Sequence, residues 1–206
     1  LDRLVVISSG SPILRIHDPS TGTYVPVDLG ALSPSTLALQ PSGRRAAVGL
    51  QMQGPGSLAV VDLASGTLTR RMTGVDITGE VAFGPGNQVY FDNSFGQQVT
   101  LDVVTDALTE SNDFRGPAYR LIDPSGTAMY VLASFGNSTM ARVDITTSPI
   151  TFVHEVDVTP PLNRAFFFTE DGNSIVSSEG VIYRASANPA LDLTVRGTIT
   201  PPPDLA

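Results

Sequence analysis

The sequence contains no cysteine, no lysine and no tryptophan. Without cysteine there is no disulfide, no thiolate nucleophile and no cysteine-ligated zinc. Without lysine there is no Schiff base and no lysine general base, because all twelve basic residues are arginine. Histidine is scarce too. Only His17 and His154 occur, far apart in the chain, and two such residues cannot build a His-rich metal site. No metal and no cofactor are therefore expected. No apolar run approaches the roughly 20 residues that span a bilayer, so no membrane insertion is expected. Formal net charge is −8 and the arginines form no basic patch along the chain. Nucleic acid is excluded as an expected partner on that ground.

What is present is a chain of 206 residues, 41% of them apolar, punctuated at short intervals by 19 glycines and 16 prolines. That is enough apolar material for a sizeable core. The punctuation favours turns and short strands over long helices. The acidic residues lie mostly at strand ends and read as a solvated surface. The chain begins at Leu1 and shows no signal-peptide pattern. It is expected to be a mature product or a piece of something longer, with flanking domains. A cysteine-free chain suits a bacterial exported protein, so the expected location is periplasmic, secreted or cell-surface.

One stretch recurs. VVDLASGTLT, centred on Asp62, aligns with IHDPSTGTYV on Asp18, TLDVVTDALT on Asp102 and RVDITTSPIT on Asp144. IYRASANPAL is a weaker fifth copy with Arg184 in place of the acid. The steps run from 40 to 44 residues, and a period of that size is the mark of a repeat architecture. Four positions after the acid stand Gly22, Gly66, Asp106, Ser148 and Asn188. Gly, Asp and Asn tolerate a left-handed backbone best. A hairpin loop closed by a left-handed residue needs that tolerance there. The acid itself can accept hydrogen bonds from turn amides. A second set of hairpins interleaves with the first, turning at Pro41-Ser42-Gly43, Pro85-Gly86, Pro124-Ser125-Gly126 and Asp171-Gly172.

Together these give four strands, A to D, per 40-odd residues. The first unit shows only three, at Arg3–Ser8, Ile13–Asp18 and Tyr24–Leu29. In the others the A strands fall near Thr36–Gln40, Glu80–Phe83, Tyr119–Ile122 and Arg164–Phe168. The total is about 19 strands and no helix. Tandem four-stranded antiparallel units point to an all-β fold, a β-propeller. A β-sandwich would not require the same hairpin chemistry five times.

The segments VYFDNSFGQQVTLDV and MYVLASFGNSTMARVDI resemble the YVTN-type (WD40-like) β-propeller repeats of bacteria. Those units read as a Tyr-Val-Thr-Asn strand, a polar loop and a strand ending in Asp. The similarity covers nearly the whole chain and is strongest from Leu58 to Asp144. It weakens in the last unit, where Arg184 replaces the acid. No Trp-Asp dipeptide is present, so WD40 proteins match less well. The expected layout is a propeller over residues 1–200, with blades at about 1–30, 31–74, 75–114, 115–158 and 159–200, and a proline-rich linker or tail at 201–206. Related propellers have six to eight blades, and the reading favours a portion of such a ring over a five-bladed one.

Catalytic patterns are missing. There is no Gly-x-Ser-x-Gly elbow, no phosphate loop and no acidic Ca²⁺ spacing. His17 occupies the strand position of Val61 and Leu101 and reads as structural. His154, in FVHEV, reads as a solvated histidine of an outer strand. What remains is loop chemistry. The resemblance implies that the B–C and D–A loops gather on one face around a channel lined by A strands. The B–C loops are polar and amide-rich, with Asn93 and Phe95 in one and Phe135 and Asn137 in another. An exposed Phe would be an apolar anchor; a buried one would be blade packing. Glu80, Arg120 and Arg164 lie in or just before A strands, where they would hold an anion or form a structural ion-pair cluster. The function favoured is a non-enzymatic binding or scaffold domain of an exported or cell-surface bacterial protein, acting on a protein or small polar ligand. The alternative is a lactonase-like, lyase-like or dehydrogenase-subunit propeller whose site missing blades would complete. No catalytic residue is assigned.

Overall fold

The computed structural model describes residues 3–30, 33–52, 54–111, 118–133, 139–158 and 166–199. Within them the chain forms nineteen strands and no helix. A three-stranded sheet comes first, from β1 (Leu4–Ser8), β2 (Ser11–Asp18) and β3 (Thr23–Asp28). Four four-stranded sheets follow. They comprise β4 (Ser33–Leu39), β5 (Arg45–Met52), β6 (Gly54–Asp62) and β7 (Thr67–Thr73); then β8 (Thr78–Phe83), β9 (Gln88–Asp92), β10 (Gln98–Asp102) and β11 (Leu108–Ser111). Next come β12 (Ala118–Ile122), β13 (Ala128–Ala133), β14 (Thr139–Asp144) and β15 (Thr151–Asp157), and finally β16 (Phe166–Phe168), β17 (Ser174–Ser177), β18 (Val181–Arg184) and β19 (Val195–Thr198). Each sheet is a meander, with every strand antiparallel to its sequence neighbour. The strand pattern expected from the repeat is the one observed, including the three-stranded first unit.

The chain packs as two units, Leu1–Arg115 and Gly116–Ala206. In the first, the β4–β7 sheet is apolar on both faces. Ala46, Val48 and Leu50 of β5 join Leu14, Ile16 and Val27 of the first sheet. The alternate residue Ala47 joins Phe83, Phe91 and Val99 of the third sheet. β6 divides the same way, Ala59 and Val61 to one side and Leu58 and Val60 to the other. Successive strand residues point to opposite faces, so one run of small apolar residues supplies two cores. In the second unit, Tyr130, Leu132 and Met140 pack with Phe166, Ile175 and Tyr183.

The hairpins carry the expected turn chemistry at three of the five repeats. Gly22, Gly66 and Asp106 have φ of 69°, 67° and 61°. Their amides donate to the carbonyls of Asp18, Asp62 and Asp102 at 2.9, 3.0 and 2.9 Å. At Gly66 the positive φ is joined by a steric demand, since a Cβ there would lie 2.6 Å from Val25 Cγ1. The carboxylates cap the turns. Asp62 Oδ1 accepts from the Ala64 and Ser65 amides at 3.0 and 2.8 Å and from Ser65 Oγ at 2.9 Å. In the fourth copy Asp144 still caps, accepting from Thr146 N and Oγ1. There the peptide bond before Pro149 is cis and Ser148 is not left-handed.

The fifth copy departs further. After IYRASANPAL the next strand, β19, begins only at Val195. The longer β18–β19 loop sends Asp192 inward, where its side chain is 0% exposed. Asp192 Oδ1 accepts from Tyr130 Oη and the Ser186 amide, both at 2.8 Å. Its Oδ2 faces His154 Nε2 at 3.1 Å and Arg142 Nε at 3.9 Å. Tyr130 belongs to β13, Arg142 to β14 and His154 to β15, so one carboxylate joins the last loop to three strands of the sheet before it. This corrects the reading of His154 as solvated: its side chain is 15% exposed and it faces the buried acid. Burial, then the Asp192 carboxylate, push the Tyr130 hydroxyl pKa upward.

Two tests follow from these contacts. Asp192→Asn keeps the shape but removes the charge that faces a guanidinium and an imidazole. It is expected to cost about 3 kcal/mol in urea unfolding, against about 1 kcal/mol for Tyr130→Phe. A loss no larger than that of Tyr130→Phe would show that the charge contributes nothing. The turn carboxylates give the second. Hydrogen bonds from Ser20, Ser65, Thr105 and Thr146 hold Asp18, Asp62, Asp102 and Asp144 below the ordinary carboxyl value of 3.8. Thr169 and Asn173 bring Asp171 to about 2. A depressed folded pKa gives stability that is present above the unfolded value and lost as pH falls through the folded one. The thermal midpoint is expected to fall as pH drops from about 4 toward about 2. Calorimetry on Asp62→Asn, which keeps the acceptor but does not titrate, should show a shallower fall.

Candidate functional site

The connection between β9 and β10 is five residues, Asn93 to Gln97, and it is bonded from within. The Asn93 amide donates to the Gln97 carbonyl at 3.0 Å, and Gly96 N donates to the Asn93 carbonyl at 2.9 Å. Asn93 Oδ1 accepts from Phe95 N at 3.1 Å and from Gln97 N at 2.9 Å. Asn93 Nδ2 donates to Gln97 Oε1 at 2.8 Å. An asparagine suits this place because its short side chain offers an acceptor and a donor at once. Gly96, with φ of 72°, allows the tight reversal.

Two neighbours anchor this bracket from the preceding connection and strand. Thr78 Oγ1, in β8, donates to the Asn93 carbonyl at 2.9 Å. Asp76 Oδ2, in the β7–β8 connection, accepts from Ser94 N at 2.9 Å. Asn93 itself is buried, and below it Asp92 and Gln98 are fully buried. At the tip, Phe95 is 84% exposed. Covering a phenyl group typically gains about 1.5–3 kcal/mol. Here the loop holds its one large apolar side chain in water while its five main-chain amides are bonded. The blade-packing reading of Phe95 is not met. The ring does not pack between neighbours; it stands out as an apolar knob on an ordered base.

The other residues singled out in the sequence are dispersed. Glu80 is exposed in β8, where the pairing with β9 slips between Thr78 and Ala82. It shares its end of the sheet with Asn93 and Phe95. Arg120 is in the second unit, in β12 opposite Val131, and is buried. Phe135, Asn137 and Arg164 lie outside the described residues. Missing from the sequence reading were Asp76, which holds Ser94, and Asp192. The pattern LDL around Asp192, an acid between two leucines, was the available signal for a buried carboxylate.

Two further places bring polar and ionisable side chains together. The Asp192–His154 pair has the composition of a catalytic dyad, yet neither ring nitrogen of His154 has a hydrogen-bond partner. Among the described residues it bonds to no hydroxyl that it could activate. A shallow cleft of about 730 Å³ lies on the last sheet, between Thr169, Glu170, Asp171, Ser174, Ile182 and Arg196. Two pairs of its polar side chains bind each other. Arg196 Nη1 donates to Ser174 Oγ at 2.7 Å, and Asp171 Oδ1 accepts from Thr169 Oγ1 at 2.6 Å. Among the described residues no three His, Asp or Glu side chains converge as metal ligands.

No family model and no curated protein matches the sequence. Similarity to solved structures is extensive. The chain matches Kuenenia stuttgartiensis hydrazine synthase at 16% identity and a TM-score of 0.68, over 90% of this chain and 60% of that one. It matches a functionally unknown protein from Desulfotomaculum acetoxidans at 14% identity and 0.73, over 96% and 65%. It matches the Myceliophteria thermophila Cps50 (Swd1) β-propeller domain at 12% identity and 0.65, over 95% and 71%. The chain thus spans less than two thirds of the first two structures. At these identities the likeness concerns the fold alone: four-stranded antiparallel meanders in series, the fold of a β-propeller.

The loop geometry separates two roles that a single alanine scan can resolve. Asn93→Ala removes three side-chain hydrogen bonds from a buried position and is expected to cost about 1–3 kcal/mol. Phe95→Ala is expected to change stability by less than about 0.5 kcal/mol. Equal losses in chemical denaturation would mean that Phe95 is a packing residue after all.

Proposed function

We propose that this chain is a non-enzymatic binding domain. It engages a protein or small polar ligand through loops at one end of its sheets, within an exported or cell-surface bacterial protein. The observation that carries the reading is Phe95, an exposed aromatic on a loop fixed by Asn93, Thr78 and Asp76. Binding energy at interfaces concentrates in aromatic side chains that are rigid before the partner arrives. A pre-bonded loop loses little entropy when covered. The likeness of VYFDNSFGQQVTLDV to YVTN-type repeats supports a bacterial origin, and a cysteine-free chain suits export.

The test is capture with immobilised protein and with its Phe95→Ala variant, from extract and growth medium of the source bacterium. Wild type is expected to retain at least one protein that the variant loses, and purified components should then reproduce the pair by calorimetry. Identical retention by the two, without reconstituted binding, would overturn the proposal. A stoichiometric bound metal with a thermal shift of several degrees would do so from the other side, by pointing to an enzyme.

A further inference from the structure

The repeat gives each sheet a forward face, toward the sheet that follows, and a rear face. The forward face is marked by a row of paired side chains two residues before the turn acid. In the second sheet that row is Ala38, Ala47 and Val60, and the third sheet covers it. In the fourth it is Leu121, Tyr130 and Arg142, and the fifth covers it. In the last sheet, counted from Arg184, the row is Phe167, Val176 and Ile182. Phe167 is 63% exposed and the other two are partly exposed. The corner beside the row is open as well. In the second sheet Gln40 and Arg45 stand at that corner and bond Gly86 and Asn87 of the third sheet. Thr169 and Ser174 hold the same place in the last sheet, joined by the same main-chain bond of 2.9 Å. There the cleft of about 730 Å³ lies where the second sheet receives its neighbour's turn, and Arg196 brings a guanidinium to it as Arg45 does.

The first sheet has the complementary face uncovered. One residue before the acid, the side chains point to the rear. Ala46 and Val61 of the second sheet are buried that way against the first, and Ile175 and Tyr183 of the last against the fourth. The same row in the first sheet is Leu4, His17 and Tyr24, and there Leu4 and Tyr24 are 60% and 57% exposed.

We infer that the last sheet is a docking face for a second copy of this chain, whose first sheet stacks on it head to tail. The contacts of the first sheet with the second, the second with the third and the fourth with the fifth each join a forward face to a rear face. A second copy brings a rear face that is uncovered, so the contact between copies continues the stacking that the repeat already uses. Phe167, Val176 and Ile182 of one copy meet Leu4 and Tyr24 of the other, and removing these apolar groups from water drives the association. The two copies use different faces, so the contact is heterologous and a pair still carries one free face of each kind. This surface is separate from the Phe95 loop.

Light scattering behind size-exclusion chromatography, over a series of concentrations, tests this directly. The wild-type mass is expected to rise with concentration to twice that of the monomer or more. Phe167→Glu, on the last sheet, and Leu4→Glu, on the first, should each weaken association at least about tenfold. Mixed in equal amounts, the two variants should form a pair of twice the monomer mass and nothing larger, because each keeps the face that the other has lost. Both positions are exposed, and thermal melts check that each variant is folded. A wild type that stays monomeric at every concentration would overturn the inference. So would association that survives Leu4→Glu, as when two last sheets meet each other, or variants that do not pair when mixed. None of these results bears on capture through Phe95, which is read separately.

Discussion

Every sheet in this chain has two faces, and a four-stranded meander can hide neither alone. The β4–β7 sheet shows how the sequence meets that constraint. Residues 46, 48, 50, 59 and 61 serve one neighbour, and 47, 58 and 60 serve the other. Because alternation has a period of two, no residue serves both. The buried runs AAV and AVV follow from it: small and β-branched side chains let two sheets approach a third from opposite sides. The first sheet shows the same rule from its open side. Leu4 and Tyr24 flank His17 across the register and are exposed, and Arg15 lies over the Tyr24 ring at 5.9 Å.

Covering faces by stacking leaves the strand ends to local chemistry. That is why the turn aspartates recur while the connections at the opposite ends do not. Asp62 and Asp102 saturate their own hairpins with amides two and three residues away. Nothing outside the hairpin is needed, so spacing is kept. The B–C connections are under no such rule. Among the described residues, Asn93 holds 93–97, whereas the β17–β18 connection is closed by the Gly180 amide on the Ser177 carbonyl.

This division explains what was legible in the residues. Asp18, Asp62 and Asp102, with Gly22, Gly66 and Asp106 after them, could be read because their partners are a few positions away. The all-β series of hairpins followed from them. Phe95 could be picked as a candidate, but its exposure depends on the Asp76 and Thr78 contacts from another connection and strand. Asp192 was invisible for a similar reason. Its hydroxyl partner Tyr130 is 62 positions distant, and its approach needs a β18–β19 loop longer than the repeat implies. His154 was misread along with it: a histidine in an outer strand is normally wet, and here it faces the buried Asp192 carboxylate.

The Asn93 bracket has a consequence for how such a molecule changes over time. Its Oδ1 accepts from the main-chain amides of residues 95 and 97, and Ser94 is likewise held by its amide. The identities of Ser94 and Phe95 are therefore free of the bonds that shape the loop. Substitution at these two positions alters what the surface offers without altering the frame that offers it. Selection can replace one recognition chemistry with another in single steps, and the same two positions are where foreign side chains can be grafted onto this scaffold.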